Sequence, residues 1–327
     1  VCKKAARADL LPADFFGKVR ACIYVPKHAL ERALAKTLPE PESGLAKGLL
    51  LGGSGYLSAE TEENFRRVGI THMVAVSGYN ITLIAEGFLF IGLISGLWRS
   101  QAMYAAFSGI MLFIVMIGMP SSGLRAGTMA GIAFLALSSG RIARPINALF
   151  LALSIIVAFS PLSLRYDIGL ALSFLATLAI VIAAPYEEKL FSGKGMAIQS
   201  VGSIIFLTLS VEALVMPVIL LSFHSFSPVS IVANMLQLVV PFAMGAAFLS
   251  SLVFLMFPGM EQLIIWLSYG LLLLMTRSAA FLSSFQWANV TIENFGPREA
   301  LLWYACALSG IVIAERYRKR THYVEEI

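Results

Sequence analysis

The sequence predicts an all-α, polytopic helical membrane protein with about nine transmembrane helices, one of them broken or re-entrant. Three observations predict it. The 327 residues are 58% hydrophobic, with a mean hydropathy of +0.81. Only 13% are charged, against about 25% in soluble domains. Charge is also segregated, because residues 1–72 hold eleven of the 24 Lys and Arg and eight of the 19 Asp and Glu. In the apolar remainder, each ionisable group needs a physical reason to be there.

In chain order, residues 14–38 read as an amphipathic helix or helix pair. Phe15, Phe16, Val19, Ile23, Leu30 and Leu34 oppose Lys18, Arg20, Lys27, Arg32 and Lys36. That pattern suits a membrane-surface element, and equally a helix packed on a domain further upstream. PEPES at 39–43 breaks it, and LLLGGSGYLS at 49–58 reads as a flexible turn. A short helix follows at 58–68, with Ser58 as its N-cap and Thr61, Glu62 and Glu63 early in it.

A bilayer core about 30 Å thick needs roughly 20 mainly apolar residues. Windows of that kind fall near 73–97, 101–119, 124–140, 146–163, 168–184, 197–221, 228–257, 261–286 and 300–315. The 228–257 window is overlong and interrupted by Pro241 and Gly245, so it predicts a broken helix or two short ones. Broken backbone at membrane depth is tolerated where protein or a cavity satisfies the freed polar groups. With nine spans, Arg99, Arg141, Arg144, Lys189, Lys194 and the tail RYRKR collect on one side, and Arg165 and Arg298 on the other. The first side is then cytoplasmic and residues 1–72 lie outside. The chain begins at Val1 with no charged-then-apolar leader pattern, so it is expected to be a piece of a longer protein.

The chemical motifs are mostly absent. The sequence has no G-x-x-x-x-G-K-[ST] phosphate loop and no Cys/His zinc spacing. A G-x-S-x-G elbow fails because Tyr56 occupies its last position. His72 and Ser77 are five residues apart, about 140° around a helix, which disfavours a direct pair. No catalytic residue, metal or cofactor is therefore assigned. The informative groups are Glu86, Arg125, Glu212 and Arg277, with Asn80, Asn234 and Gln237, all inside apolar windows. Ser77 and Asn80 share a helix face, as do Asn234 and Gln237. In a structural role, Arg125 and Arg277 pair with glutamates and glue helices together. In a functional role, they line a hydrated path and meet an anionic substrate. The 22 phenylalanines could stack nucleic-acid bases, though lipid contact and core packing are favoured.

GITHMVAVSGYNITLIA (69–85) resembles the signature of ComEC-type DNA-uptake proteins, roughly G-x-x-H-h-h-A-h-S-G-h-H-h with h apolar. GLAKGLLLGGSGYLSAETEENFRRVG before it is similar to the same family's Leu-Leu-Gly stretch and charged helix. PSSGLRAGTMAGIAFLAL, the block from Gly140 to Val181, and FSPVSIVANMLQLVVPFAM resemble three later pieces, so that the likeness covers about residues 44–257. It implies passage of single-stranded DNA across the bacterial inner membrane during transformation. By position it assigns His72, Ser77, Gly78 and Asn80 to the first motif, Arg125 to the second, Asn147 and Pro161 to the third and Asn234 to the last. Asn80 stands where the family usually has His, and Ala171 where Gln often precedes Leu-Ser-Phe. After Glu315 only RYRKRTHYVEEI remains, so the family's metallo-β-lactamase-like nuclease domain is not in this chain.

The expected organisation is then an extracytoplasmic or membrane-surface segment at 1–72, a transmembrane competence domain at 73–315 and a basic cytoplasmic tail at 316–327. The expected function is a non-enzymatic channel or translocase component for single-stranded DNA in the plasma membrane. The alternatives are a proton-coupled small-molecule or ion transporter and, third, a membrane-embedded hydrolase. The DNA path or functional core is expected at His72, Ser77, Gly78, Asn80, Arg125, Asn234 and Arg277, with Glu86 and Glu212 as candidate buried acids. Expected partners are single-stranded DNA, the lipid bilayer, and a DNA receptor and a cytoplasmic motor or nuclease on separate chains, with a homo-oligomer left open.

Overall fold

The chain's first described helix, α1, runs Phe15–Thr37. It buries Ala33 and Leu34 and leaves Arg32 and Lys36 exposed, as its amphipathic pattern predicts. The computed structural model describes residues 15–74, 78–119, 121–138, 144–193, 195–257, 259, 261–292 and 294–310. Helix α2 (Glu42–Leu51) is buried at every position except Lys47. Such burial needs close backbone approach, and two glycines provide it. A Cβ on Gly44 would overlap the Tyr56 carbonyl, and one on Gly48 would overlap Val74 Cγ1. The helix ends at Gly52 and Gly53, whose φ of 77° and 114° suit glycine. The sequence reading assigned no helix at 42–51.

A 3₁₀ turn (Ser54–Tyr56) leads to α3 (Ala59–Val68), where Ser58 Oγ accepts the Thr61 N–H at 3.2 Å, the predicted N-cap. Four-residue α4 (Thr71–Val74) follows. Leu34, Leu45, Leu49, Phe65, Val68, Ile70 and Val74 from these helices form one core with residues far along the chain. The partners are Val240, Ala243 and Met244 on α13 (Val240–Met256) and Leu272, Met275 and Ala279 on α14 (Gln262–Ser283). Two polar bonds tie the same surfaces: Thr276 Oγ1 donates to Glu42 at 3.1 Å, and Ser283 Oγ to Asn64 at 2.7 Å.

Between them lie α5 (Gly78–Ile94), α6 (Arg99–Met116), α7 (Ser121–Ser138) and α8 (Pro145–Phe159). After the single turn α9 (Ser163–Tyr166) come α10 (Ile168–Phe191) and α11 (Met196–Phe223). Neighbours run antiparallel. Gly92 faces Ala102 and Gly109 faces Phe88 across α5 and α6. Phe107 stacks on Phe134 across α6 and α7, and Phe191 meets Phe206 across α10 and α11. Among the described residues, five segments are long and apolar enough to cross a membrane, at 99–116, 168–191, 198–223, 230–256 and 264–283. Shorter apolar helices among the described residues lie at 80–94, 123–136 and 145–159. Large apolar side chains such as Phe159 (89% exposed) and Trp266 (73%) face outward, as lipid contact requires. The protein is thus all-α and polytopic, as predicted. Among the described residues, strand pairing is limited to β1 (Ser225–Phe226) and antiparallel β2 (Val290–Thr291).

The predicted interruption in 228–257 is present but displaced. Helix α12 (Ser230–Ala233) passes into a 3₁₀ turn (Asn234–Leu238) before α13 begins. Pro241 sits in the first turn of α13, where its missing N–H costs no helical bond, and Gly245 lies within the helix.

A second proline has a larger consequence. Pro217 lies inside α11 and cannot donate to the Ala213 carbonyl four residues back. The last described helix, α15 (297–310), supplies the donor. Trp303 Nε1–H donates to Ala213 O at 2.7 Å, and Tyr304 O–H to Leu214 O at 3.0 Å. Trp303→Phe is therefore expected to lower the melting temperature in detergent, by a loss of about 1–2 kcal/mol. With Pro217→Ala restoring the helix's own donor, the same change should cost measurably less, and a double-mutant cycle reads the difference.

Outside the spans, Tyr56 O–H donates to Glu31 at 2.6 Å, with His28 Nδ1 at 2.9 Å on the other carboxylate oxygen. Burial works against the Glu31 charge, yet the bonds from Tyr56 and His28 hold its carboxyl below the ordinary range. Burial, with the bond to Glu31, pushes the Tyr56 phenol up. A depressed carboxyl pKa stabilises the fold above its unfolded value, and that contribution is lost as pH falls through the folded value. Tyr56→Phe should cost about 1 kcal/mol at neutral pH. The gap between the two proteins should close below about pH 4 in thermal melts.

Candidate functional site

Antiparallel packing brings Asn80, Arg125 and Glu212 toward one end of the bundle. Helices α5 and α7 flank α6 and start together, which sets Asn80 and Arg125 at the same level. Ile81, Ile110 and Ile114 form a small core between them, with Ala126 against it. Arg125 in turn lines a cavity with Leu170 at the start of α10. Glu212 lies in the second half of α11, which returns toward that end, and reaches Ser230 at the start of α12. Arg277 borders a groove with Val232. The Glu42–Thr276 and Asn64–Ser283 bonds hold α2 and α3 at this end as well.

The sites differ in character. Asn80 is 3% exposed, and its Nδ2 donates to the Met73 carbonyl at 3.5 Å, linking α5 back to α4. His72 is exposed on α4, with Nδ1 3.2 Å from the Gly69 carbonyl. Gly78 begins α5, and Ser77 lies outside the described residues. Glu86 is exposed on α5 and is not one of the buried acids. Arg125 is 8% exposed, and its Nε and Nη1 lack hydrogen-bond partners. Its cavity, of about 20 Å³, is shared with Leu149, Ala152, Leu170, Ser173, Phe174 and Thr177. The Arg-Ala helix start thus meets the Asn-Ala-Leu helix and the Leu-Ser-Phe block, three stretches far apart in sequence. Asn147 is exposed at the start of α8.

The second locus surrounds the broken segment. Ser230 O–H donates to the half-buried Glu212 carboxylate, and Asn234 Oδ1 is buried without a partner. Arg277 is exposed at a groove of about 410 Å³ lined also by Val232, Leu236, Ser278, Phe281 and Leu282. Arg125 and Arg277 line separate spaces. Neither forms an ion pair with a glutamate among the described residues, where the ion pairs are His28–Glu31, Lys47–Glu40 and Arg66–Glu63. Among those residues, no three His, Cys, Asp or Glu side chains converge to hold a metal ion.

Sequence reasoning missed three residues here. Asp167 accepts the Leu170 N–H at 2.9 Å and caps α10; an Asp just before an apolar run signals that role. Ser230 and Trp303 have no local signal, because their partners are 18 and 90 residues away.

Fold and site together define a polytopic helical membrane protein that buries polar residues, Asn80 and Arg125 among them, within an otherwise apolar bundle. The chain belongs to the competence protein family, whose profile matches residues 49–317. It is also similar to ComE operon protein 3 of Bacillus subtilis (strain 168), at 27% identity over 207 residues. That match covers 63% of this chain, and the chain spans about a quarter of the relative's length (25%). No solved structure matches it.

Removing the hydroxyl that serves Glu212 leaves a half-buried carboxyl short of a donor. Ser230→Ala is expected to cost about 1–3 kcal/mol, while Ser230→Thr retains most of the stability. Thermal unfolding in detergent checks both.

Proposed function

We propose that this chain is the membrane-embedded part of a DNA-uptake machine and conducts single-stranded DNA into the cytoplasm during natural transformation. The observation that carries the reading is the family match over 49–317, whose resembling stretches meet around Arg125. A strand carries a negative charge at every phosphate, so its path needs cationic relief at depth without tight trapping. Arg125 and Arg277 supply that relief, His72, Ser77 and Asn80 shape the outer mouth, and Gly78 and Asn234 belong to the same functional core. The 20 Å³ space at Arg125 is far too small for a nucleotide, so in this reading the helices around it part during uptake. In this reading the polar end faces outward, the basic tail faces the cytoplasm, and a receptor and a motor or nuclease on other chains deliver and pull the strand.

In naturally transformable cells, Arg125→Ala at normal membrane levels should lower transformation frequency by about tenfold or more. An unchanged frequency sinks the assignment for Arg125. A proton-coupled transporter is the second reading, supported by the Glu212–Ser230 bond at the broken segment. Proton-driven uptake of labelled solutes into proteoliposomes, with transformation unaffected by Glu212→Gln, would favour it.

A further inference from the structure

Arg277 sits on the outward side of an apolar span. Segment 264–283 is long and apolar enough to cross a membrane. Leu274 and Phe281, three residues before Arg277 and four after it, are exposed as it is. A guanidinium keeps its charge, and a charge facing hydrocarbon is costly unless it pairs or reaches the interface. Among the described residues, no carboxylate forms an ion pair with Arg277. It borders instead the groove of about 410 Å³ between α14 and the broken segment, with Val232, Leu236, Ser278, Phe281 and Leu282. That volume lies in the range of small-molecule sites, roughly 300–1,000 Å³. The lining is apolar but for the Arg277 guanidinium and the Ser278 hydroxyl.

Two observations set this charge near headgroup depth. Ser283, the last residue of α14, bonds to Asn64 on α3, where Glu63 and Arg66 form an exposed ion pair. Water therefore reaches the end of α14, and Arg277 lies six residues inside it, about 9 Å along the axis. An arginine that close to a helix end extends its head to the interface and leaves its stem in the apolar layer. Phe281, Phe285 and Trp287 then form a ladder of rings, with 5.3 Å between successive centroids, from the groove to the exposed Trp287. Tryptophan gathers where hydrocarbon meets headgroups.

Apolar walls with one cation at the headgroup level match a molecule with an apolar chain and a negative head. We propose that the Arg277 groove binds one anionic phospholipid. Its phosphate meets Arg277 and Ser278, and an acyl chain lies along Val232, Leu236 and Phe281. The inference stands on the groove and its charge and does not require the DNA-uptake reading. Within that reading the lipid holds the groove at rest, and a strand phosphate, also a singly charged diester, displaces it.

Thermal melts of the full chain in nanodiscs test it, with phosphatidylcholine alone or with phosphatidylglycerol mixed in at equal total lipid. A site present only in the folded state should raise the midpoint by several degrees and saturate as phosphatidylglycerol increases. The rise should vanish in Arg277→Gln and persist in Arg99→Gln, which removes an exposed arginine from another span. Equal melts in the two lipids, or a rise lost equally in both variants, overturn the proposal. So does a single-stranded oligonucleotide that gives an Arg277-dependent rise where phosphatidylglycerol gives none. If Arg277→Gln fails to fold, phosphatidylglycerol with a photoreactive acyl chain decides the question on the unaltered protein. Crosslinks at Val232, Leu236 or Phe281 support the proposal, and crosslinks confined to other residues overturn it. Transformation is not measured here, so failure leaves the uptake reading as it stood.

Discussion

The rest of the structure depends on the burial of α2 against α13 and α14. Ten residues near the start of the described chain fill a space whose other walls come some 200 residues later. Leu45 and Leu49 meet Val240, Met244, Leu272 and Met275 in one core. Only small residues at Gly44 and Gly48 let the chain on either side close over this helix. Glu42 enters the same interior, where Thr276 serves its carboxylate. The N-terminal helices are therefore fused to the bundle, and the position of α14, with Arg277 on its exposed side, follows from how α2 and α3 pack on its other side.

The fold class was legible because lipid imposes a crude, long-range rule: runs of apolar residues long enough to cross. Each apolar window carries helix, and Ser58 caps α3 by a bond that four consecutive residues determine. Reading failed where tertiary partners decide. ESGLAKGLLL has two glycines, which argue against a helix in isolation, and it is helical because its whole surface is buried. The interruption at 234–238 falls before Pro241 because proline fits a helix's first turn better than its middle.

The site was legible as residue types and less so as an arrangement. Arg125 and Asn80 stand out in sequence because polar groups are rare in apolar windows, and both are buried. Glu86 stands out equally and is exposed, because spacing on α5 alone does not reveal which face meets neighbours. The separation of Arg125 from Arg277 could not be foreseen, since it depends on how α7, α8 and α10 group apart from α12 and α14. Nor could the Trp303 bond, whose acceptor exists only because Pro217 removed a donor.

That bond also has a consequence in time. Ala213 and Trp303 are separated by 90 residues, so α11 is synthesised and inserted long before α15 emerges. Until then the Ala213 carbonyl has no helical donor and must be met by water or a transient neighbour at membrane depth. The nascent protein is thus marked as incomplete at a single backbone atom, and docking of the last described helix removes the mark.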